Sequence, residues 1–225
     1  MDSRLLAKYI DQTLLKPFVS DETMRAFLEE CRKYGFAMAA INSAPVSFAA
    51  KILQGSGVHV GAAISFPLGQ TTLEVKCFET RSAIAEGADE IDYVINQTRL
   101  KSGDWAYIEH EMRSITEICH EQNRLCKVIF ENCYLTDDEK KRLCEVAVRV
   151  RPDFIKTSTG FGAGGATLQD VRLMKSIVGN EIGVKAAGGI RTLEDALAFI
   201  QAGATRIGTS AGVKLLQEFQ EKGNA

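Results

Sequence analysis

Two lysines close strand-like segments, and each is followed at once by a turn of small residues: Asp153-Phe154-Ile155-Lys156-Thr157-Ser158-Thr159-Gly160 and Gly183-Val184-Lys185-Ala186-Ala187-Gly188-Gly189. A charged ammonium is costly to bury, so two lysines aimed into one space need a chemical reason. Imine chemistry supplies one, provided that one of the amines is neutral near pH 7. On adjacent strands, about 4.8 Å apart, the two ammonium groups approach to roughly 5–6 Å. At an effective dielectric near 20 their repulsion is worth about 3 kcal/mol, which carries an amine from about 10.4 toward about 8. A lysine so depressed is a competent nucleophile toward an aldehyde or ketone.

Such side chains need a scaffold, and the chain alternates strand-like with helix-like patterns throughout. Strands are expected near Ile10–Leu14, Met38–Asn42, His59–Ile64, Glu90–Ile95, Cys126–Glu131, Phe154–Ser158, Gly183–Ala186 and Arg206–Thr209. Helices fit from Ser20 to about Tyr34, Thr71–Glu86, Asp104–Glu121, Thr136–Arg149, Thr167–Val178, Thr192–Gln201 and Ala211–Glu221. Thr136-Asp137-Asp138-Glu139 and Thr192-Leu193-Glu194-Asp195 read as capped helix starts. Eight βα units, with no Gly-x-Gly-x-x-Gly after the first strand, favour a closed parallel barrel over an open sheet. The expected architecture is α/β, a single (β/α)8 TIM barrel over residues 1–225 with a short N-terminal extension, close to the roughly 250 residues typical of that fold.

Period-two alternation sorts the strand residues by face. It places Asp92, Lys127, Glu131, Lys156 and Lys185 inside the barrel near one end, with Ile91, Tyr93, Val128 and Phe130 outward on the helices. Barrel chemistry sits at the carboxyl ends of the strands. Gly188-Gly189, and Gly208 and Ser210 ahead of the last helix, stand where such barrels hold a phosphate, so a phosphorylated ligand is expected. The run Gly160 to Ala166 reads as a mobile loop able to close over that group. Glu131 is taken as an orienting partner, and His59, His110 and His120 are given no chemistry.

Lys+Arg of 27 against Asp+Glu of 29 gives a net charge of −2 with both signs interspersed, so no nucleic-acid or acidic-membrane footprint is visible. No apolar run approaches the roughly 18 residues of a membrane span, and the start lacks a signal-peptide pattern, so a cytoplasmic protein is expected. Six cysteines without a C-x-x-C pair read as free thiols rather than disulfides or zinc ligands.

Taken together, Ile10-Asp11-x-Thr13-Leu14-Leu15-Lys16-Pro17, Gly87-Ala88-Asp89-Glu90-Ile91-Asp92, Asp153 to Phe161 and Lys185-Ala186-Ala187-Gly188-Gly189-Ile190-Arg191-Thr192 resemble the deoxyribose-phosphate aldolases, class I aldolases on a TIM barrel. The resemblance runs nearly end to end. It implies reversible cleavage of 2-deoxy-D-ribose 5-phosphate to D-glyceraldehyde 3-phosphate and acetaldehyde, with no metal or organic cofactor, in a homo-oligomer of two or more chains. By that resemblance Lys156 forms the Schiff base, Lys185 lowers its pKa, Asp92 moves protons, Asp11 and Lys127 are supporting polar positions, and Gly188, Gly189 and Ser210 hold the phosphate. Gln12, Ala40, Ser43-Ala44, Gln97-Thr98-Arg99 and Asn132 depart from the family's usual wording, and all are expected at the mouth, where they bear on substrate scope or rate. Three alternatives stay open: a related aldolase for another sugar phosphate, a phosphate-binding barrel enzyme of another reaction class, and a non-enzymatic sugar-phosphate binder.

Overall fold

The computed structural model describes residues 2–223. Eight parallel strands close on themselves in chain order: β1 (Ile10–Leu14), β2 (Met38–Asn42), β3 (His59–Ile64), β4 (Glu90–Val94), β5 (Leu125–Ile129), β6 (Phe154–Lys156), β7 (Gly183–Ala187) and β8 (Arg206–Thr209). The seam is the pairing of β8 with β1, where Asp11 lies opposite Gly208. Strands covered on both sides need no alternation of apolar and polar residues. β4 shows how that works: Glu-Ile-Asp-Tyr-Val is buried at every position, because its carboxylates meet cations inside the barrel while Ile91 and Tyr93 pack outward.

Around the barrel lie α1 (Ser3–Ala7), α2 (Asp21–Tyr34), α3 (Val46–Leu53), α4 (Leu73–Ala85), α5 (Gln97–Lys101), α6 (Trp105–Glu121), α7 (Asp137–Val150), α8 (Leu168–Val178), α9 (Leu193–Gln201) and α10 (Gly212–Gly223). Ser20, Thr72, Thr136, Thr167 and Thr192 each accept a hydrogen bond from the amide three residues on, which satisfies a donor the helix leaves open. Thr136 and Glu139 form a reciprocal capping box, as their spacing foretells. Among the described residues, no helix is long and apolar enough to cross a membrane.

The structure departs from the expected elements in two ways. Strand ends are trimmed: β5 stops at Ile129 because Glu131 adopts a left-handed φ of 56°, and β6 stops at Lys156. Short helices also appear where none is expected. These are α3, whose leading Pro45 offers no capping side chain, α5, the 3-10 turn Asn132–Tyr134, and α1, the form taken by the N-terminal extension, which packs on α10.

One buried ion pair braces β4 from outside. Lys76 of α4 donates to Val94 O at 2.7 Å and to Glu111 Oε1 at 2.8 Å, while Glu111 Oε2 accepts from Asn96 N at 3.0 Å. Burial outweighs their attraction and moves both partners toward neutrality, with Lys76 down and Glu111 up from their ordinary values. Glu111→Ala is therefore expected to destabilise the fold by about 3–5 kcal/mol, since it strands a buried ammonium. Urea unfolding checks this, and a loss below about 1 kcal/mol contradicts it.

Candidate active site

Strand register brings the sequence-selected charges together. Lys156 at the end of β6 lies opposite Lys185 of β7, and Asp92 of β4 lies opposite Lys127 of β5. The Asp92 carboxylate is the hub. Its Oδ2 accepts from Lys156 Nζ at 2.8 Å and from Lys185 Nζ at 2.7 Å, and its Oδ1 accepts from Lys127 Nζ at 2.9 Å. Lys185 also stands 2.6 Å from Asp11 Oδ2, so Asp11 touches the second lysine directly. All five side chains are buried, with Lys156 retaining 4% exposure at the mouth.

Electrostatics divides them into roles. For Asp92, burial opposes ionisation, but Lys127, Lys156 and Lys185 override it and hold the carboxyl well below the usual range. For Lys156, burial is the main cause of a pKa lowered to about 8; Lys185 and Lys127 push the same way, and Asp92 pulls against them. Burial, rather than the lysine repulsion expected from sequence, is the leading cause of this lowering, and Asp92 lies between the two lysines. Lys127 shows the reverse outcome: burial disfavours its proton, yet Asp92, Glu90 and Asp11 hold it on more tightly than usual. An ionised carboxylate touching an amine that sheds its proton more readily than a free lysine, and a second lysine, can accept and return protons beside an attacking nitrogen.

Above Lys156 opens a cavity of about 650 Å³. Gly188, Gly189, Gly208 and Ser210 line it, with the exposed cations Lys16 and Arg191 at its rim. Gly188 and Gly189 have consecutive φ values of 89° and 82°, a turn that other residues adopt only with strain. The run after β6 lies down on this turn: Ala166 N donates to both Ala187 O and Gly188 O, and a Cβ at Gly165 would sit 2.2 Å from Gly188 O. Gly208 has a further part, since a Cβ there would meet Lys185 Cε at 3.1 Å and Ala187 Cβ at 2.9 Å. Its bare backbone makes room for the second lysine.

A profile described as DeoC/LacD family aldolase matches residues 7–218. The chain belongs to the DeoC/LacD aldolase family. It is 56% identical over 211 residues to the deoxyribose-phosphate aldolase of Lactobacillus acidophilus, covering 94% of this chain and 89% of that one. With the corresponding protein of Bacteroides thetaiotaomicron it shares 54% identity, over 96% of this chain and 91% of the relative. A tetrameric deoxyribose phosphate aldolase from Aeropyrum pernix superposes with a TM-score of 0.89 at 33% identity, covering 98% of this chain and 93% of that one.

Within this DeoC/LacD barrel, the positions that depart from the family's wording are distributed differently from the expectation. Gln12 does reach the cavity, but its Oε1 accepts from Gly212 N at 2.9 Å and ties β1 to the start of α10. Ser43 donates to Glu79 at 2.7 Å, Gln97 donates to Phe130 O at 2.7 Å, and buried Asn132 turns its amide toward Met174 of α8, 3.3 Å from Sδ. Ala40 is buried within β2. Ser43, Gln97 and Asn132 thus brace loops and helices, and the hub carries no bond from any of the five. Glu131 sits apart from the lysines and orients the loop after β6, accepting from the Thr159 amide at 3.3 Å and from the Thr159 hydroxyl.

Arg206, Glu90 and His59 are not among the site residues selected from sequence, His59 being given no chemistry. Arg206 Nε donates to Asp11 Oδ1 at 2.7 Å, and its Nη2 reaches both Glu90 oxygens at 2.8 Å. His59 Nδ1 lies 2.7 Å from Glu90 Oε1. A signal was available, because Arg206 shares the inward parity of Gly208, and Glu90 that of Asp92.

Proposed function

We propose that the chain catalyses the reversible cleavage of 2-deoxy-D-ribose 5-phosphate to D-glyceraldehyde 3-phosphate and acetaldehyde, with Lys156 as the imine-forming lysine. The observation that carries the assignment of Lys156 is the meeting of a buried, depressed amine with Asp92 and Lys185 at the floor of an open cavity. The substrate comes from the curated relatives, which bear the name of that activity at 54–56% identity.

In this reading the neutral Lys156 amine attacks C1 of the open-chain sugar phosphate, and loss of water gives an iminium that draws electrons from the neighbouring carbons. Asp92, through its contact with cationic Lys185, takes the proton of the C3 hydroxyl as the C2–C3 bond breaks. That bond is the one broken because acetaldehyde carries away C1 and C2. Glyceraldehyde 3-phosphate departs, the enamine regains a proton at C2, and water releases acetaldehyde and restores the amine. Asp11 and Lys127 support the hub from below. Gly188, Gly189, Gly208 and Ser210 are assigned to the phosphate, with Lys16 and Arg191 as its counter-charges. The assembly is proposed to be a homo-oligomer, by analogy with the tetramer named for the Aeropyrum pernix protein.

Borohydride reduction in the presence of deoxyribose 5-phosphate is expected to leave a stable adduct on Lys156, identified by peptide mass spectrometry. An adduct confined to another lysine, or none, overturns the assignment. The acid limb of kcat/KM is expected near pH 8, where the amine titrates. Below it the rate falls about tenfold per pH unit, because only the neutral amine attacks. A limb near the free-lysine value of about 10.4 contradicts the mechanism.

A further inference from the structure

Seven charged side chains are linked inside the barrel, and the proposed chemistry accounts for the upper ones. Taken strand by strand, they are Asp11 on β1, Glu90 and Asp92 on β4, Lys127 on β5, Lys156 on β6, Lys185 on β7 and Arg206 on β8. β2 turns uncharged Met38 toward Lys127, and β3 adds only His59, half-exposed at the opposite rim. Ion pairs of 2.9 Å or less join all seven into one network. Glu131 stays outside it, bound to Thr159.

The signs are informative. Asp11, Glu90 and Asp92 are three carboxylates, and Lys127, Lys185 and Arg206 are three cations, so the set is already neutral. Lys156 is a fourth cation site, and its ion-pair partner, Asp92 Oδ2, is shared with Lys185. A proton on Lys156 is therefore one positive charge too many for a buried space where unpaired charge is costly.

We infer that Glu90 and Arg206, the first residues of β4 and β8, are positioning residues for the amine chemistry, completing from the far end of the barrel the charge balance that loosens the proton on Lys156. The inference rests on Lys156 being the imine-forming lysine. Glu90 faces Lys127 of β5, His59 of β3 and Arg206 of β8, and Arg206 faces Asp11 of β1 as well. Asp89, beside His59, is drawn off by Arg124 at 2.9 Å. Each of the two residues thus adds a full charge below the hub without approaching the substrate cavity.

Charges about 10 Å apart, two strand widths, shift a pKa by on the order of one unit at an effective dielectric near 20. Glu90→Gln removes a negative charge, so Lys156 sheds its proton more readily and the acid limb of kcat/KM moves down by about one pH unit. Arg206→Gln removes a positive charge, and the limb moves up by about one unit. The double variant restores the balance and returns the limb to the wild-type position. A merely structural pair would lower activity at every pH and leave the limb in place. Folded single variants whose limbs coincide with wild type overturn the inference.

Should a single variant not fold, His59→Lys and His59→Gln change the charge beside Glu90 from a half-exposed position. The H59K limb is then expected below the H59Q limb, and coincident limbs overturn the inference. Borohydride trapping is run alongside on each folded protein. A Lys156 adduct with unmoved limbs refutes the charge-balance role alone, whereas absence of the wild-type adduct refutes the imine assignment itself.

Discussion

Lys156→Met is expected to abolish turnover while making the barrel more stable at pH 7. Loss of the nucleophile removes the covalent route altogether, so kcat should fall by on the order of 10⁴-fold or more. The gain in stability follows from the sign of the pKa shift. The folded amine titrates at about 8 and the unfolded one at about 10.5, so between those values the unfolded chain holds the extra proton and native stability rises with pH. Below about pH 8 the folded protein carries the full penalty of roughly 2.5 pKa units, about 3 kcal/mol. Methionine fills much of the same volume without charge, and Asp92 keeps Lys127 and Lys185 as donors. Urea unfolding at pH 7 should show the variant about 2–3 kcal/mol more stable, with the difference fading toward pH 10.5. A variant that turns over at a near-native rate, or gains nothing at pH 7, is incompatible with a reactive amine whose proton is loosened by burial.

Asp92→Asn should separate proton transfer from imine formation. An amide of the same shape cannot accept the C3 hydroxyl proton, so kcat is expected to fall by about 10²–10⁴-fold. Lys156 remains in place, and trapping should still label it. Since the Asp92 charge holds the Lys156 proton on, the residual activity should show an acid limb below pH 8, a shift opposite to that expected from a general weakening of the site. Stability should also drop, by about 3 kcal/mol, because Lys127 and Lys185 lose a shared counter-charge. A carboxyl with a depressed folded pKa stabilises above its unfolded value and stops doing so as pH falls through the folded one, so this loss should persist across neutral pH and narrow only in strong acid. Retention of near-native kcat would assign proton transfer elsewhere.

The barrel was legible because its strands are buried on two sides and end in turns. β1, β2, β3 and β8 lie where the sequence places them, and parity alone set Asp92, Lys127, Lys156 and Lys185 in one interior. Less was legible where three-dimensional context decides. α3 has no capping side chain at its start, and Glu131 ends β5 by a left-handed backbone that its residue type does not announce. The source of the Lys156 shift was misjudged in the same way. Adjacent lysines suggest repulsion, but only the fold reveals one carboxylate oxygen between them and the depth of burial around all three. Parity with Gly208 turns Arg206 inward, but its partners could not be read from sequence, because only barrel closure brings the first residue of β8 to Asp11 and Glu90.

Gly208 gives this chemistry an unusual vulnerability. That position has no side chain to react or carry charge, yet the space beside its α-carbon is taken by the aliphatic stem of Lys185 on its way to Asp92. Adding a single methyl would press on Ala187 Cβ at 2.9 Å and on that stem at 3.1 Å while leaving both lysines and Asp92 chemically unchanged. Substitution tolerance along β8 should therefore be lowest at the residue with the least to offer chemically, and a screen that ranks positions by functional groups would overlook it.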